Sequence, residues 1–232
     1  MTTITQNLQQ VRARIAAACV AAQREVDEVT LLAVSKTFGA NAVRQAHAAG
    51  QRDFGENYVQ EAVDKIASLA DLPLVWHCIG PLQGNKTRPV AEQFDWVHSI
   101  DRLKIAERLS AQRPPNRPPL NVCIQVNIDG GANKSGVAVP EAAALARAVA
   151  GLPNLRLRGL MTIPEVAPNF EACFRIHANA RALFDELRQA HPDMDTLSMG
   201  MSADLEPAIA AGSTMVRVGT AIFGSRAIRS DA

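Results

Sequence analysis

The stretch Val29-Thr-Leu-Leu-Ala-Val-Ser35 decides how this chain folds. It is short and almost continuously apolar, which is typical of a parallel strand covered on both faces. The segment before it has a different period, because apolar residues recur at spacings of three and four between Ile4 and Ile15. That period predicts an amphipathic helix reaching to about residue 24. The chain therefore begins with a helix that leads into a buried strand.

Strand-like and helix-like segments alternate from this strand to the end of the chain. Further strands are predicted at residues 52–55, 74–79, 94–97, 120–128, 155–161, 196–199 and 214–218. Helices are predicted at residues 41–49, 58–69, 86–93, 102–112, 140–150, 169–190 and 203–211, with a last helix after the eighth strand. Eight such units in about 200 residues favour a single (β/α)8 TIM barrel, preceded by an extra N-terminal helix, over an open sheet. We expect one domain over residues 1–232.

One connection has a composition unlike the rest. Residues 113–119 read Arg-Pro-Pro-Asn-Arg-Pro-Pro. Proline has no backbone N–H and a fixed φ, so this density excludes both helix and sheet. We predict an exposed loop there.

The overall composition narrows the class of protein. Apolar residues make up 47% and charged residues 20%, and 24 basic against 23 acidic side chains leave a formal charge of +1. This is typical of a globular protein, and no basic block indicates nucleic acid or a membrane surface as a partner. Residues 1–10 lack a signal-peptide layout, and no apolar run reaches the roughly 18 residues of a membrane-spanning helix. We expect a cytoplasmic protein.

The four cysteines and five histidines are widely dispersed along the chain. Their spacing matches neither a disulfide framework nor a set of metal ligands. We expect reduced, mostly buried thiols and no metal site.

Lys36 is the first candidate for a functional residue. In barrels of this kind the working groups gather at the C-terminal ends of the strands. Lys36 ends the first strand and, by the period of two, shares its face with Leu32 and Val34. Removal of water from a lysine amine favours its neutral, nucleophilic form, which is the form that condenses with an aldehyde. The alternative is a lysine that extends from the strand end to water.

The loops after the seventh and eighth predicted strands indicate a phosphate site. Ser202 precedes one helix and could cap it, and Gly219 and Thr220 precede another. Free N–H groups at helix N-termini favour phosphate, although ordinary turn chemistry explains the same residues. Arg217 lies inside the last strand and needs an acceptor, because an unpaired buried charge is costly. That acceptor is either a carboxylate such as Glu165 or a cofactor phosphate or ring nitrogen.

Other polar residues follow the second and third predicted strands. Asn57, Gln83 and Asn85 could form hydrogen bonds at the rim, with turn chemistry as the alternative. His77 follows Trp76 at a strand end. We interpret it as a packed, hydrogen-bonded histidine rather than as a general base.

Eight blocks of sequence lie at or near the predicted strand ends. They are Val34-Ser-Lys-Thr37, Phe54-Gly-Glu-Asn-Tyr-Val-Gln-Glu61, His77-Cys-Ile-Gly-Pro-Leu-Gln-Gly-Asn-Lys86, Gln125-Val-Asn127, Lys134-Ser-Gly136, Arg158-Gly-Leu-Met161, Leu197-Ser-Met-Gly-Met-Ser202 and Val216-Arg-Val-Gly-Thr-Ala-Ile-Phe-Gly224. In this order they resemble the pyridoxal phosphate homeostasis protein family over roughly residues 30–226. The length of several blocks makes the resemblance specific.

The resemblance implies a barrel like the N-terminal domain of alanine racemase, with pyridoxal 5′-phosphate bound as a Schiff base. The residues that it assigns to the cofactor are Lys36 for the imine, Ser202, Gly219 and Thr220 for the phosphate, Arg217 near the phosphate or the pyridine ring, and Asn57, Met161 and Met199 around the pocket. One departure is Phe38, because relatives often carry a second lysine there. We therefore do not expect a lysine relay at that point. Lys86 and Lys134 are the other candidate lysines.

Two functions of different class are compatible with such a site. The protein either holds the cofactor and passes it to apoenzymes that depend on pyridoxal phosphate, or it is an amino-acid racemase. Racemisation needs a base on each face of the substrate, but the chain has one tyrosine, Tyr58, and no predicted second domain. A basic ring partner such as Arg217 would also make the cofactor a weaker electron sink. We therefore expect a monomeric, non-catalytic protein of intracellular vitamin B6 homeostasis.

Overall fold

Eight parallel strands form a closed barrel in a computed structural model that describes residues 3–131, 134–165 and 167–224. The strands are β1 Thr30–Val34, β2 Asp53–Glu56, β3 Val75–Cys78, β4 Trp96–Ile100, β5 Leu120–Asn127, β6 Leu155–Met161, β7 Thr196–Ser198 and β8 Met215–Val218. Each pairs with the next one along the chain, and β8 pairs with β1 to close the sheet. A further strand of two residues, Val137–Ala138, pairs with the end of β5. The predicted TIM barrel is confirmed.

Helices surround the barrel, and one precedes it. They are α1 Ile4–Ala21, α2 Ala40–Ala48, α3 Val59–Ser68, α4 Thr87–Gln93, α5 Leu103–Gln112, α6 Ala142–Ala150, α7 Phe170–Ala190, α8 Leu205–Ala210 and α9 Thr220–Phe223. The predicted start of the fourth strand at residue 94 was wrong. The Phe94 N–H donates to the carbonyl oxygen of Val90 and so ends α4, which delays β4 to Trp96.

The N-terminal helix begins with a capping box. The Gln6 N–H donates to the Thr3 side chain at 3.2 Å, and the Gln6 side chain accepts from the Thr3 N–H at 2.9 Å. Both bonds satisfy donors that a helix start leaves without intrahelical partners. Its apolar stripe, which includes Leu8 and Ile15, is buried. The extra helix predicted from the sequence is therefore part of the fold.

The core has two layers because strand residues alternate in direction. Leu31 and Ala33 of β1 belong to the large apolar layer between the strands and the helices. Leu32 and Val34 belong to a separate cluster with Ile79 and Met215. In a closed barrel the second cluster is the interior, so the face that leads to Lys36 is the inward face.

The proline-rich connection is less exposed than its composition predicts. Arg113 is buried, and its guanidinium donates to the carbonyl oxygens of Ala91 and Phe94 at 2.7 Å each and of Pro118 at 2.8 Å. Burial lowers the pKa of Arg113 to about 10. The loop therefore begins with a buried arginine that ties it to the end of α4. The predicted connection without helix or sheet is confirmed and is exposed at residues 115, 116, 118 and 119, so Arg113 is the exception.

The cysteines are all unpaired, and Cys19, Cys78 and Cys123 are buried. Within the described ranges, the structure brings together no group of acidic, histidine and cysteine side chains suited to a metal ion. Among the same residues, none of the helices has both the length and the apolar character that crossing a membrane requires.

Strands β6 and β7 approach each other closely at Gly159, where a side chain would not fit. A Cβ atom at Gly159 of β6 would overlap the carbonyl oxygen of Thr196 in β7, which is backbone and has little freedom to move. We expect Gly159→Ala to lower the free energy of unfolding by more than about 3 kcal/mol, measured in urea. The control is Gly151→Ala, where the nearest atom to a new Cβ is 3.6 Å away and the expected change is within about 0.5 kcal/mol. Similar losses in both variants would contradict this account of β6.

Candidate active-site region at the barrel mouth

The ends of neighbouring strands bring most of the predicted site residues together. Leu32 of β1 pairs in register with Arg217 of β8, so Lys36 and Gly219 extend from adjacent strands at the same end of the barrel. Asn57 follows β2 on the other side of β1. Parallel strands place all these ends at one mouth. The side chain of Lys36 is half-buried there.

The segment that carries Lys36 is held on both sides. Thr37 has a left-handed backbone with φ of 68°, and its N–H donates to Glu61 Oε1 at 2.7 Å. The ring of Phe38 stacks on that of Phe223 in α9, with centroids 5.2 Å apart. The phenylalanine at this position therefore joins the loop after β1 to the helix after β8.

A second lysine, Lys65 of α3, is buried beneath this segment. Its Nζ donates to the Ser35 carbonyl oxygen at 2.9 Å, to Glu56 Oε1 at 2.6 Å and to Glu61 Oε1 at 3.1 Å. The Ser35 hydroxyl donates to the same Glu56 oxygen at 2.6 Å. Burial raises the pKa of Glu56, and the ion pair with Lys65 opposes that effect. The cluster fixes the residue next to Lys36.

Sequence reasoning missed this cluster. The sequence predicted a helix at residues 58–69, but not that the buried residues of this helix are Ala62 and a lysine, Lys65. The spacing of Glu61 and Lys65, four residues apart on a helix, predicts an ion pair but gives no sign of its burial. Glu56 ends β2, so only the fold shows that it reaches Lys65.

Arg217 is buried in the barrel interior without a carboxylate partner among the described residues. Its Nη1 donates to the carbonyl oxygen and to the hydroxyl oxygen of Ser198 at 2.7 and 2.8 Å, and its Nη2 donates to the Thr162 carbonyl oxygen at 2.8 Å. Burial lowers its pKa to about 10, and the charge of Asp204 acts in the opposite direction. Glu165 is exposed and is not among these partners, so the structural alternative from the sequence was wrong for this residue.

In the loop after β7, the residue at the helix cap differs from the predicted one. Helix α8 begins at Leu205 with Asp204 at its cap position, so Ser202 does not cap it. Asp204 accepts from the Met201 N–H at 2.7 Å and from His177 Nε2 at 2.9 Å. These bonds order the loop and leave the Ser202 hydroxyl outside the helix cap.

The N-terminal helix braces both candidate phosphate loops. Arg14 Nη2 donates to the Ser202 carbonyl oxygen at 3.2 Å, and Arg14 Nε donates to Glu206 Oε1 at 2.9 Å. Asn7 Nδ2 donates to the Ile222 carbonyl oxygen at 2.9 Å. The two loops are therefore tied to the same helix.

Gly219 allows β8 to lie close to β1. A Cβ atom there would lie 3.2 Å from the Val34 carbonyl oxygen and 3.4 Å from Val34 Cβ, which is tighter than ordinary contact. Thr220 is the exposed first residue of α9. The Ile222 and Phe223 N–H groups donate to the Gly219 carbonyl oxygen at 2.9 and 3.0 Å, so the N–H groups that this helix start leaves without intrahelical partners are those of Thr220 and Ala221.

The two methionines of the predicted pocket lie in different layers. Met161 packs with Trp96 and Cys123 inside the barrel, whereas Met199 is buried in the layer between strands and helices. Gln83 and Asn85 are exposed on the loop after β3. His77 is fully buried and stacks on Trp96 with centroids 5.3 Å apart, which confirms its interpretation as a packed histidine.

Two buried oxygens at the mouth fit a polar ligand. Asn57 Oδ1 and Thr162 Oγ1 are shielded from solvent and have no hydrogen-bond partner among the described residues. Such atoms are costly unless a donor reaches them. They follow the ends of β2 and β6, around the opening that also contains Lys36 and Arg217. A phosphorylated aldehyde with a polar ring matches this combination of an amine, a cation and unpaired acceptors.

The fold and this site define a class of barrels built like the N-terminal domain of alanine racemase. The sequence matches the family described as alanine racemase, N-terminal domain, over residues 3–227. It is 61% identical over 226 residues to the pyridoxal phosphate homeostasis protein of Pseudomonas aeruginosa, with 97% of each chain covered. The protein of that name from Escherichia coli K12 is 56% identical, with 97% of this chain and 98% of the relative covered. This chain belongs to the pyridoxal phosphate homeostasis protein family.

Solved structures agree with this assignment. PipY of Synechococcus elongatus, solved with pyridoxal phosphate bound, is 40% identical with a TM-score of 0.79, covering 90% of this chain and all of PipY. Its structure without the cofactor gives a TM-score of 0.84. Alanine racemase from Corynebacterium glutamicum is 20% identical with a TM-score of 0.67, and 62% of its chain is covered, so it supports the fold alone.

Lys65→Met tests the buried ion pair. Without the ammonium group, Glu56 is a buried charge that keeps only the Ser35 hydroxyl as a donor, so its raised pKa rises further. The folded protein then binds a proton that the unfolded chain does not, so stability is present at low pH and is lost as pH rises through the raised pKa. We expect a loss of about 3–5 kcal/mol in unfolding free energy at pH 8 and a smaller loss at pH 5.

Urea titrations at both pH values measure this difference. The control is Lys104→Met, which changes an exposed lysine of α5 and should have little effect at either pH. The double variant Lys65→Met/Glu56→Gln should regain part of the loss at pH 8. Equal losses at pH 5 and pH 8 for the single variant would show that Glu56 does not depend on Lys65.

Proposed function

We propose that this protein holds pyridoxal 5′-phosphate on Lys36 and takes part in vitamin B6 homeostasis. The observation that carries the proposal is a half-buried lysine at the end of β1 together with a buried arginine on the adjacent strand that has no carboxylate partner among the described residues. The name of relatives at 61% and 56% identity, and the pyridoxal phosphate bound to PipY, support it.

Each predicted residue has a role in this proposal. Lys36 Nζ attacks the aldehyde carbon, a C=N bond forms and water leaves, so the attachment is covalent and reversible. The proposed contacts are Ser202, Gly219 and Thr220 for the phosphate, Arg217 for the phosphate or the ring, and Asn57 and Met161 around the pocket, with Met199 packed in the layer behind it. When bound, the cofactor supplies a reactive aldehyde and an electron sink.

We further propose that the protein is a non-catalytic monomer in the cytoplasm that delivers the cofactor to apoenzymes. An imine on a half-buried lysine exchanges readily with another amine, so the lysine of an apoenzyme could take over the same carbon. The alternative, an amino-acid racemase, needs a second base. Tyr58 is the only tyrosine, and 55% of it is exposed at the rim rather than enclosed in the interior.

Lys36→Ala tests the attachment. Wild-type protein loaded with pyridoxal phosphate should show the visible absorption band of an imine, lose it on borohydride reduction and retain the mass of the cofactor on the peptide that contains Lys36. Lys36→Ala should lose the band and the adduct. Lys104→Ala, which removes an exposed lysine of α5, should keep both. A wild-type protein without the band would refute the proposal.

The delivery role has a separate test. Loaded protein should reactivate a pyridoxal phosphate-dependent apoenzyme even when alkaline phosphatase destroys the free cofactor, and a panel of amino acids should not be racemised. Lys36→Ala should reactivate nothing under these conditions. Racemisation at the rate of a dedicated enzyme, which is typically about 1–1,000 turnovers per second, would replace the carrier with the racemase as the function.

A further inference from the structure

A line of hydrogen-bonded polar side chains crosses the barrel interior beneath Arg217. Ser198 Oγ lies 2.8 Å from Arg217 Nη1 and 3.0 Å from His98 Nδ1. His98 Nε2 lies 3.0 Å from His77 Nδ1, and His77 Nε2 lies 3.2 Å from Asp53 Oδ1. The residues come from β8, β7, β4, β3 and β2. Barrel interiors are usually filled by branched apolar side chains, so this line calls for an explanation.

The hydrogen positions in this line follow from its two ends, because Arg217 can only donate and the Asp53 carboxylate can only accept. A guanidinium can only donate, so Ser198 Oγ accepts from it, and the serine proton has His98 Nδ1 as its acceptor. His98 is then neutral with its proton on Nε2, which donates to His77 Nδ1. His77 in turn donates from Nε2 to the Asp53 carboxylate. Every bond points the same way, from the cation to the carboxylate.

The surroundings favour this arrangement. His77, His98 and Ser198 are all 0% exposed. Burial holds the pKa of His98 well below its usual value, and the positive charge of Arg217 adds to that effect. Asp53 is 29% exposed at the opposite mouth of the barrel, where Arg158 and Asp195 line the same pocket. Asp53 is therefore an indirect counter-ion of Arg217, connected through two neutral histidines.

The line orients Arg217 and does not conduct protons. Conduction would require the terminal group to release its proton, and a guanidinium does not do so near neutral pH. Three of the five guanidinium N–H donors are used by Ser198 and Thr162, which leaves Nε–H and one Nη2 proton. A fixed guanidinium presents these two donors in one direction.

We propose that Ser198, His98 and His77 are positioning residues that hold Arg217 in the orientation needed to bind the cofactor, with Asp53 as their anchor. This inference rests on the proposed function. It assigns to the interior of the barrel a role in cofactor affinity, although none of the three positioning residues needs to touch the cofactor.

Ser198→Ala tests the inference. It removes the acceptor of Arg217 and the donor to His98, so the dissociation constant for pyridoxal phosphate should rise about tenfold, and the absorption maximum of the bound cofactor should shift. Ser198→Thr keeps the hydroxyl and should restore both values. Ser110→Ala removes another buried serine, which lies in α5 and accepts from the Asn154 N–H, and should leave both values unchanged.

Nitrogen NMR of the ligand-free protein gives a readout that a general loss of stability would not move. In wild type, His77 and His98 should both be neutral with the proton on Nε2, and Ser198→Ala should shift the signal of His98 Nδ1. A proton on Nδ1 of His98 would overturn the inference. Normal cofactor binding by Ser198→Ala would overturn it while the proposed function stands, whereas a wild-type protein that binds no cofactor would overturn both.

Discussion

The buried guanidinium of Arg217 is the constraint on which the rest of the site depends. A charge inside a barrel is tolerated only if its donors are satisfied, because an uncompensated buried cation is very costly. Here the acceptors are the carbonyl and hydroxyl oxygens of Ser198 and the carbonyl oxygen of Thr162. The acceptors therefore come from the ends of β6 and β7. Within the described part of the chain, no carboxylate forms an ion pair with the guanidinium.

The cations around the mouth are consequently of two kinds. Lys65 is neutralised where it lies by Glu56 and Glu61, so its role is to hold the backbone of Ser35. Arg217 has polar neutral neighbours instead, so its charge contributes to the potential of the opening. A chain of formal charge +1 can in this way present a positive potential at one mouth of its barrel.

The sequence predicted the outer architecture better than the interior. Apolar runs such as the one before Lys36 locate strands because both faces of a parallel strand are buried, and that signal needs no tertiary knowledge. The start of β4 was misplaced because Phe94 is apolar and fully buried without being in a strand. The burial of Arg113 was missed because a proline-rich composition describes the backbone and not the carbonyl oxygens that an adjacent side chain reaches.

The same limit applies to the candidate site. Lys36 and the loops around Ser202 and Gly219 could be predicted because they follow apolar strands, and strand ends share one mouth. The line from Asp53 to Ser198 could not, because its members come from four strands whose register no local pattern encodes. Family resemblance assigned residues to the cofactor, but it gave no account of the groups that support them.

The attachment of α1 to both loops has a thermodynamic consequence. Arg14 and Asn7 bond to the loops after β7 and β8, and α1 begins almost at the start of the chain. A ligand held by these loops should therefore stabilise the packing of α1 on the barrel. By thermodynamic reciprocity, that packing should strengthen the binding of the ligand by the same free energy. A substitution at Arg14 or Asn7 therefore acts on the candidate site from outside it, although neither side chain is among the residues assigned to the cofactor.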